Sequence, residues 1–115
     1  MDYDMEFTIM FKDEEVERIK ANFSEGIVEY ENIISEYPYR QFSEAPDIVK
    51  LYDWLKDRCY PRNRDNIKDL LRNIGLTHYD PKKIVRVTNG VMWEDFTWIK
   101  FKGGELTWDD VKVRD

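Results

Sequence analysis

The chain has 115 residues, of which 42% are hydrophobic and 37% charged, so it is too apolar for a disordered chain and long enough to fold as one domain. Its single cysteine, Cys59, excludes an intramolecular disulfide and a zinc site built from cysteines. The amino terminus lacks the features of a signal peptide, and no apolar run approaches the roughly 20 residues that span a bilayer. We therefore expect a soluble cytoplasmic protein that does not bind a membrane.

The acidic and basic residues are unevenly distributed along the chain. Residues 1–36 carry 11 acids and three bases, whereas residues 56–86 carry nine bases and four acids. One interpretation is two solvated faces of opposite charge that attract each other. The alternative is an acidic surface that binds a basic partner, and the acids that would contact this partner are Asp13, Glu14, Glu15 and Glu17.

Residues 1–36 predict an acidic β meander. Residues 3–11 alternate between two sets of side chains, one of them apolar, which is the period of a strand with one buried face. Residues 13–23 fit either a helix or a strand, because their apolar side chains match both periods. A turn signal at residues 24–26 and the β-branched residues 27–34 favour a further strand. We prefer three antiparallel strands for this segment.

Residues 44–90 predict a segment of three helices. In the first helix, apolar residues recur with helical spacing from Ile48 to Leu55. Ser43 is a candidate cap for this helix, and Pro46 suits a first helical position. The helix should end before Pro61, because proline lacks the amide hydrogen that a helix interior needs.

The other two helices have clear signals at their ends. The second is expected to begin near residues 63–65 and to end at Gly75 in a left-handed conformation. The third has Asp80 as its N-cap and Pro81 as its first residue, and it should stop at Gly90. Glycine suits such end positions because it adopts positive φ angles without a steric penalty.

Residues 91–113 predict a carboxy-terminal β hairpin. Residues 96–101 are rich in aromatic and β-branched side chains, Gly103-Gly104 marks a turn, and Leu106 with Trp108 could form the returning strand. The chain is therefore expected to be a single α+β domain over residues 1–115. A small antiparallel sheet, with elements in the order β-β-β-α-α-α-β-β, would pack on the three-helix segment.

The residue types that carry catalysis or ligand binding do not form a recognisable constellation. His78 is the sole histidine and lies in a polar connection, where a loop residue is a better interpretation than a base or a ligand. Cys59 has the basic neighbours Arg58 and Arg62, but no histidine lies close in sequence to activate its thiol. Gly103-Gly104 is not followed by the Lys-Ser/Thr pair of a phosphate-binding loop. We therefore predict no enzymatic activity, no metal and no cofactor.

Two further groups of residues are candidates for binding a partner. An aromatic segment between the meander and the first helix could be a satellite of the core or an interface anchor, and it contains Tyr37, Tyr39 and Phe42. The second and third helices, joined through Gly75, also resemble a helix-turn-helix whose bases would be Lys82, Lys83 and Arg86. A net charge of −6 opposes DNA at long range, so DNA binding is the lesser hypothesis.

Five short motifs follow one another along residues 54–108. They are Trp54-Leu55-x-x-Arg58-x-x-Pro61-x-x-Arg64, Leu70-Leu71-x-x-Ile74-Gly75-Leu76, Asn89-Gly90, Asp95-x-x-Trp98-Ile99 and Leu106-x-Trp108. In combination they resemble the amino-terminal segment of HipA-like proteins of Firmicutes, where this segment precedes a Ser/Thr kinase domain. Phe96-Thr97 departs from the family's pattern, which tends to have a residue pair ending in tyrosine.

The resemblance implies a stand-alone relative of this segment, because the sequence ends at Asp115, where the kinase domain of the family would begin. The catalytic residues of the kinase would then have no counterparts, so the resemblance implies a non-enzymatic, antitoxin-like subunit that inhibits a HipA-type kinase. The alternative is an anti-CRISPR-like inhibitor from a phage or mobile element, whose acidic surface would block a nucleic-acid-binding defence effector.

Within the motifs, the charged and aromatic residues are expected to be structural. The arginines should fix the junction between the first two helices by binding carbonyl groups or Asp95, and they are Arg58, Arg62 and Arg64. Pro61 would end the first helix at this junction. Trp54 and Trp98 should pack behind the arginines.

Overall fold

A four-stranded antiparallel sheet and four helices make up the part of the chain that the computed structural model describes, which is residues 3–34, 40–42, 44–59, 65–92 and 95–112. The elements are β1 (Met5–Phe11), β2 (Glu14–Asn22), β3 (Ile27–Asn32), α1 (Ile48–Asp57), α2 (Ile67–Asn73), α3 (Pro81–Thr88), β4 (Thr97–Phe101) and α4 (Trp108–Val111). The strand order in the sheet is β3-β2-β1-β4. The predicted α+β class is therefore confirmed.

The segment that fitted both a helix and a strand forms the central strand β2. Phe7 of β1 lies opposite Ile19, and Ile19 in turn lies opposite Tyr30 of β3. As a strand, β2 places its alternate side chains on the buried face and satisfies backbone groups on both of its edges. A helix over the same residues would leave β1 and β3 without the strand that joins them.

The prediction of a carboxy-terminal hairpin with a returning strand after β4 is wrong. β4 pairs with β1 instead, and Ile99 lies opposite Ile9. The segment after β4 forms the short helix α4, which begins with a capping box in which Thr107 and Asp110 each bind the other's backbone amide. This reciprocal capping satisfies amides at the helix start within four residues of sequence, so a local signal prevails over the strand pattern.

The main hydrophobic core lies between one face of the sheet and helices α1 to α3. Its buried residues are Met5, Phe7, Ile9, Ile19, Ala21, Leu51, Leu55, Cys59, Leu71, Ile84, Val85 and Ile99. Each large apolar side chain contributes about 1.5–3 kcal/mol when it is fully buried. This core positions the carboxy-terminal end of α1 beside the connection that leads into β4.

A smaller aromatic cluster covers part of the opposite face of the sheet. Met10 and Trp98 lie opposite each other on β1 and β4, and both are buried. The ring of Phe96 contacts the rings of Phe11 and Trp108 at centroid distances of 5.9 Å. Helix α4 is thereby held against the end of β1.

The sequence signals agree with the structure at the end of α2 and at the start of α3, whereas α2 begins at Ile67, two residues after Asp65, and the start of α1 also differs from the prediction. Asp80 caps α3 by accepting a hydrogen bond from the Lys82 amide, Pro81 is the first helical residue, and Gly75 follows α2 with a φ of +83°, as predicted. Helix α1 is capped by Asp47, so the prediction of Pro46 as its first residue is wrong. Ser43 lies outside the described residues. None of the helices in the described ranges combines the length and the apolar character needed to cross a membrane.

Candidate functional site

Arg58 is the centre of a polar network that joins α1 to β4, which we call the Arg58 node. Its guanidinium donates to both carboxylate oxygens of Asp95, from Nη1 at 2.7 Å and from Nη2 at 2.9 Å. Nε donates to the Gly90 carbonyl at 2.9 Å, and Nη2 also donates to the Thr97 carbonyl at 2.6 Å. The Arg58 side chain is only 6% exposed. The expectation that this arginine binds carbonyls and Asp95 is confirmed.

The turn at Asn89 and Gly90 shapes the node. Asn89 ends α3 with a φ of 58°, and Gly90 follows with a φ of +62°. A Cβ atom on Gly90 would lie 2.9 Å from Cδ1 of Ile99, so glycine is required both by its conformation and by the close approach. Asn89 then accepts from the Ile99 amide and donates from Nδ2 to the Ile99 carbonyl, as a neighbouring strand would.

The two tryptophans of the motif lie on opposite faces of the sheet. Trp54 packs on the helix side, where its ring is parallel to Phe7 at a centroid distance of 6.5 Å and lies 6.0 Å from Cζ of Arg58. Trp98 is fully buried on the other side and donates from Nε1 to the Lys12 carbonyl at 2.6 Å. The prediction that Trp98 packs behind Arg58 is wrong, because adjacent residues of a strand point to opposite faces and Ile99 occupies the helix side.

Glu17 is fully buried, so the prediction that it contributes to an exposed acidic surface is wrong. Its carboxylate accepts hydrogen bonds from the Tyr30 hydroxyl at 2.8 Å, from the backbone amide of Gln41 at 2.6 Å and from the backbone amide of Phe42 at 3.1 Å. Burial, and then the hydrogen bond to Glu17, raise the pKa of Tyr30. Glu17 and Ile19 are two residues apart, so on a strand they share a face, and this spacing is a sequence signal that Glu17 faces the core.

The other three acids that were candidates for partner binding are exposed, but two of them have internal contacts. Asp13 accepts a hydrogen bond from the Trp108 amide at 2.8 Å and so helps to hold α4. Glu15 pairs with Arg18 at 3.1 Å, and Arg18 also pairs with Glu31 at 3.0 Å. Glu14 is exposed at the start of β2. This region is therefore a surface of mixed charge.

The aromatic candidates are only partly described. Phe42 is half-buried against the core, and its ring contacts Tyr30 at 6.3 Å and Trp54 at 5.7 Å. These contacts favour the interpretation of Phe42 as a satellite of the core. Tyr37, Tyr39, Pro61, Arg62 and Arg64 lie outside the described residues.

The two residues that were considered as a nucleophile and a base lie in different environments. Burial, and then the charge of Asp80, raise the pKa of the Cys59 thiol to about 12. The thiol donates to the Leu55 carbonyl at 3.2 Å, so it packs as a small core residue. His78 is exposed, and its Nδ1 lies 2.9 Å from the hydroxyl oxygen of Thr77.

The helical bases are arranged differently from those of a helix-turn-helix. The connection between α2 and α3 runs from Ile74 to Asp80, which is longer than the turn of about 3–4 residues in that motif. Lys82 lies over the ring of Phe23 at 4.7 Å, and Arg86 lies over the ring of Phe101 at 5.3 Å. Two of the three bases therefore cover the core, and this geometry does not favour DNA binding.

Within the described ranges, no group of three or more His, Cys, Asp or Glu side chains could hold a metal ion. No protein-family model, curated protein or solved structure matches the chain.

Proposed function

We propose that this chain is a protein-binding regulatory module, and that its partner is a kinase of the HipA type, which it inhibits as an antitoxin-like subunit without catalysing a reaction. The support for the kinase as partner is the resemblance of residues 54–108 to the amino-terminal segment of HipA-like proteins. The support for a binding role is that residues of that resemblance, Arg58, Gly90 and Asp95, form a structural network within the chain.

The observation that carries the proposal is the Arg58 node. The motif residues Arg58, Gly90 and Asp95 come from separate segments of the chain and meet in one network of hydrogen bonds. All three nitrogens of the guanidinium bind groups of this same chain, so they are not directed at a substrate. Residues that build a scaffold in this way support a folded module that presents a surface to another protein.

The test is reconstitution with a HipA-type kinase of the same organism. The chain should co-elute with the kinase in size-exclusion chromatography and should lower its autophosphorylation when it is titrated. The matched control is a pair of kinase forms, one intact and one without its own amino-terminal segment. The truncated form should bind more tightly, because an attached segment competes at a high effective concentration. Absence of a complex with both forms would contradict the proposal.

Salt distinguishes this function from phosphate mimicry by the acidic segment. A complex held by packing should survive an increase in ionic strength, whereas one held by imitation of phosphate should dissociate steeply. The geometry favours the first outcome, because Glu17 is buried and Arg18 pairs with both Glu15 and Glu31.

A further inference from the structure

The two edge strands of the sheet differ in how their outer backbone groups are used. On β4, the Ile99 amide donates to the Asn89 carbonyl at 2.7 Å, and the Ile99 carbonyl accepts from the Asn89 side chain at 3.0 Å. The Thr97 carbonyl accepts from Arg58. The outer edge of β4 is therefore closed by the chain itself.

The outward groups of β3 follow from the register of its pairing with β2. The Ile33 amide donates to the Val16 carbonyl at 2.8 Å, which makes these residues a hydrogen-bonded pair next to the pair of Glu17 and Asn32. Hydrogen-bonded and non-hydrogen-bonded pairs alternate along an antiparallel ladder. The amides and carbonyls of Glu29 and Glu31 therefore face β2, and those of Val28, Tyr30 and Asn32 face outwards.

No strand in the described part of the chain pairs with this outer side of β3. Natural edge strands are often protected by charged side chains, by proline, by a bulge or by a covering segment. The sequence of β3, Ile-Val-Glu-Tyr-Glu-Asn, contains neither proline nor lysine and its register with β2 is continuous, so its two glutamates are the charges at this edge. Within the described residues, the backbone groups of Val28 and Tyr30 thus form a regular row of donors and acceptors on the outer side of β3.

The charges on this strand select the kind of strand that can pair with it. Glu29 and Glu31 point to the face away from the helices, where they lie opposite Lys20 and Arg18 of β2. The Glu31 side chain is 63% exposed, although its Oε1 accepts a hydrogen bond from Arg18 at 3.0 Å. A further strand with Lys or Arg at alternate positions would place its bases on the other side of this acidic column, which is the favourable arrangement of cross-strand charges.

A second copy of this chain is a poor partner for the same edge. Antiparallel pairing of two β3 strands about Tyr30 would place Glu29 of each copy opposite Glu31 of the other. Like charges in directly opposite positions destabilise a sheet. The acidic column therefore selects against self-association and in favour of a basic strand from a different protein.

We propose that β3 is the docking edge of this module, and that an extended segment of the partner with Lys or Arg at alternate positions adds to it as a fifth strand. This inference rests on the proposed protein-binding function and names the surface that performs it. Backbone hydrogen bonds would supply the part of the affinity that does not depend on the partner's side chains. The pairing of the partner's bases with Glu29 and Glu31 would supply the specificity.

The first part of the test is amide hydrogen exchange on the full chain, followed by nuclear magnetic resonance. In the free protein, the amides of Glu29 and Glu31 should be protected by β2, whereas those of Val28 and Tyr30 should exchange rapidly. A capped peptide that alternates lysine with valine should then slow exchange at Val28 and Tyr30 by at least about tenfold. Protection of these two amides in the free protein, or binding of the peptide elsewhere, would overturn the inference.

The second part of the test compares two variants with the same change in net charge. Glu29→Gln with Glu31→Gln should weaken binding of the lysine peptide about fivefold, which corresponds to about 1 kcal/mol. The control is Glu14→Gln with Glu105→Gln, because both of these acids are exposed and neither lies on β3 or opposite one of its residues. Equal weakening by the two double variants would show only long-range attraction and would overturn the proposed specificity.

The same variants separate this inference from the proposed function. If the kinase binds wild type and the Glu29/Glu31 variant equally, and Val28 and Tyr30 stay unprotected in the complex, the docking edge is wrong and the binding function stands. If the lysine peptide protects Val28 and Tyr30 but no HipA-type kinase binds, the docking edge stands and the kinase as partner is wrong.

Discussion

Replacement of Arg58 by alanine should be among the most damaging single changes outside the hydrophobic core. The side chain is 6% exposed and makes four hydrogen bonds, two to Asp95 and one each to the Gly90 and Thr97 carbonyls. Each buried acceptor that loses its donor costs about 1–3 kcal/mol. The Asp95 side chain is 42% exposed and can be rehydrated, so its loss contributes only about 1 kcal/mol.

These contributions add to about 3–7 kcal/mol. Removal of one partner of a buried pair is found to cost about 3–5 kcal/mol, so we expect Arg58→Ala to lower the free energy of unfolding by that amount. A chain of 115 residues has a total stability of about 6–17 kcal/mol, so the variant should still fold. Arg58→Lys should cost less, about 2 kcal/mol, because lysine keeps the charge but loses the fork that binds Asp95 at two points.

Urea denaturation monitored by circular dichroism would measure both variants, and an unchanged slope would confirm that the same surface is exposed on unfolding. The matched control is Arg72→Ala, because Arg72 is 78% exposed and pairs with Asp69 at 3.6 Å. This control should change stability by less than about 0.5 kcal/mol. A loss below about 1 kcal/mol for Arg58→Ala, or no coupling to Asp95→Asn in a double-mutant cycle, would refute the role of the node.

Three further changes test other parts of the structure. Glu17→Gln should cost about 2–3 kcal/mol in the same denaturation assay, because an amide cannot accept three hydrogen bonds as the carboxylate does. The control Glu14→Gln, at an exposed position, should leave stability unchanged. Equal costs for the two variants would contradict the role of Glu17 as a buried acceptor. Gly90→Ala should cost about 1–3 kcal/mol more than Gly75→Ala, because both positions have positive φ but only Gly90 has a side chain within 4 Å that would clash. The Cys59 thiol has a pKa of about 12, so it should react with iodoacetamide at pH 8 about a thousandfold more slowly in the native chain than in urea. The free energy of unfolding should fall as pH rises from about 9 towards 12, because the unfolded thiol ionises first. Equal native and unfolded reaction rates would show that the thiol is exposed.

Local signals in the sequence predicted several features correctly. Asp80 and Pro81 marked the start of α3, and Gly75 marked the end of α2. Such features depend on groups only a few residues apart, because a cap binds amides of its own helix and a glycine tolerates positive φ wherever it occurs. The alternation in residues 3–11 likewise predicted β1, which spans Met5–Phe11, since it requires only one buried face.

Patterns that fit two structures were decided by contacts with distant segments. Residues 14–22 form a strand because β1 and β3 both pair with them, although the sequence also suited a helix. Residues 106–108 were predicted as a strand, but residues 108–111 form a helix that Thr107 and Asp110 cap locally and that Asp13, from the other end of the chain, holds by accepting a hydrogen bond from the Trp108 amide. The strand β2 cannot be read from a single window of sequence, whereas the capping box of α4 can.

The sequence by itself determined which segments could be helices and strands and where several of them end, because those properties come from propensity, period and capping. Only the tertiary structure decided that Arg58 binds Asp95 and two carbonyls at once, that Glu17 is buried, and that, among the described residues, the outer edge of β4 is closed whereas no strand pairs with the outer side of β3. The physical reason is that the register between strands sets which face and which edge each residue occupies, and register depends on pairing between segments that are far apart in the chain.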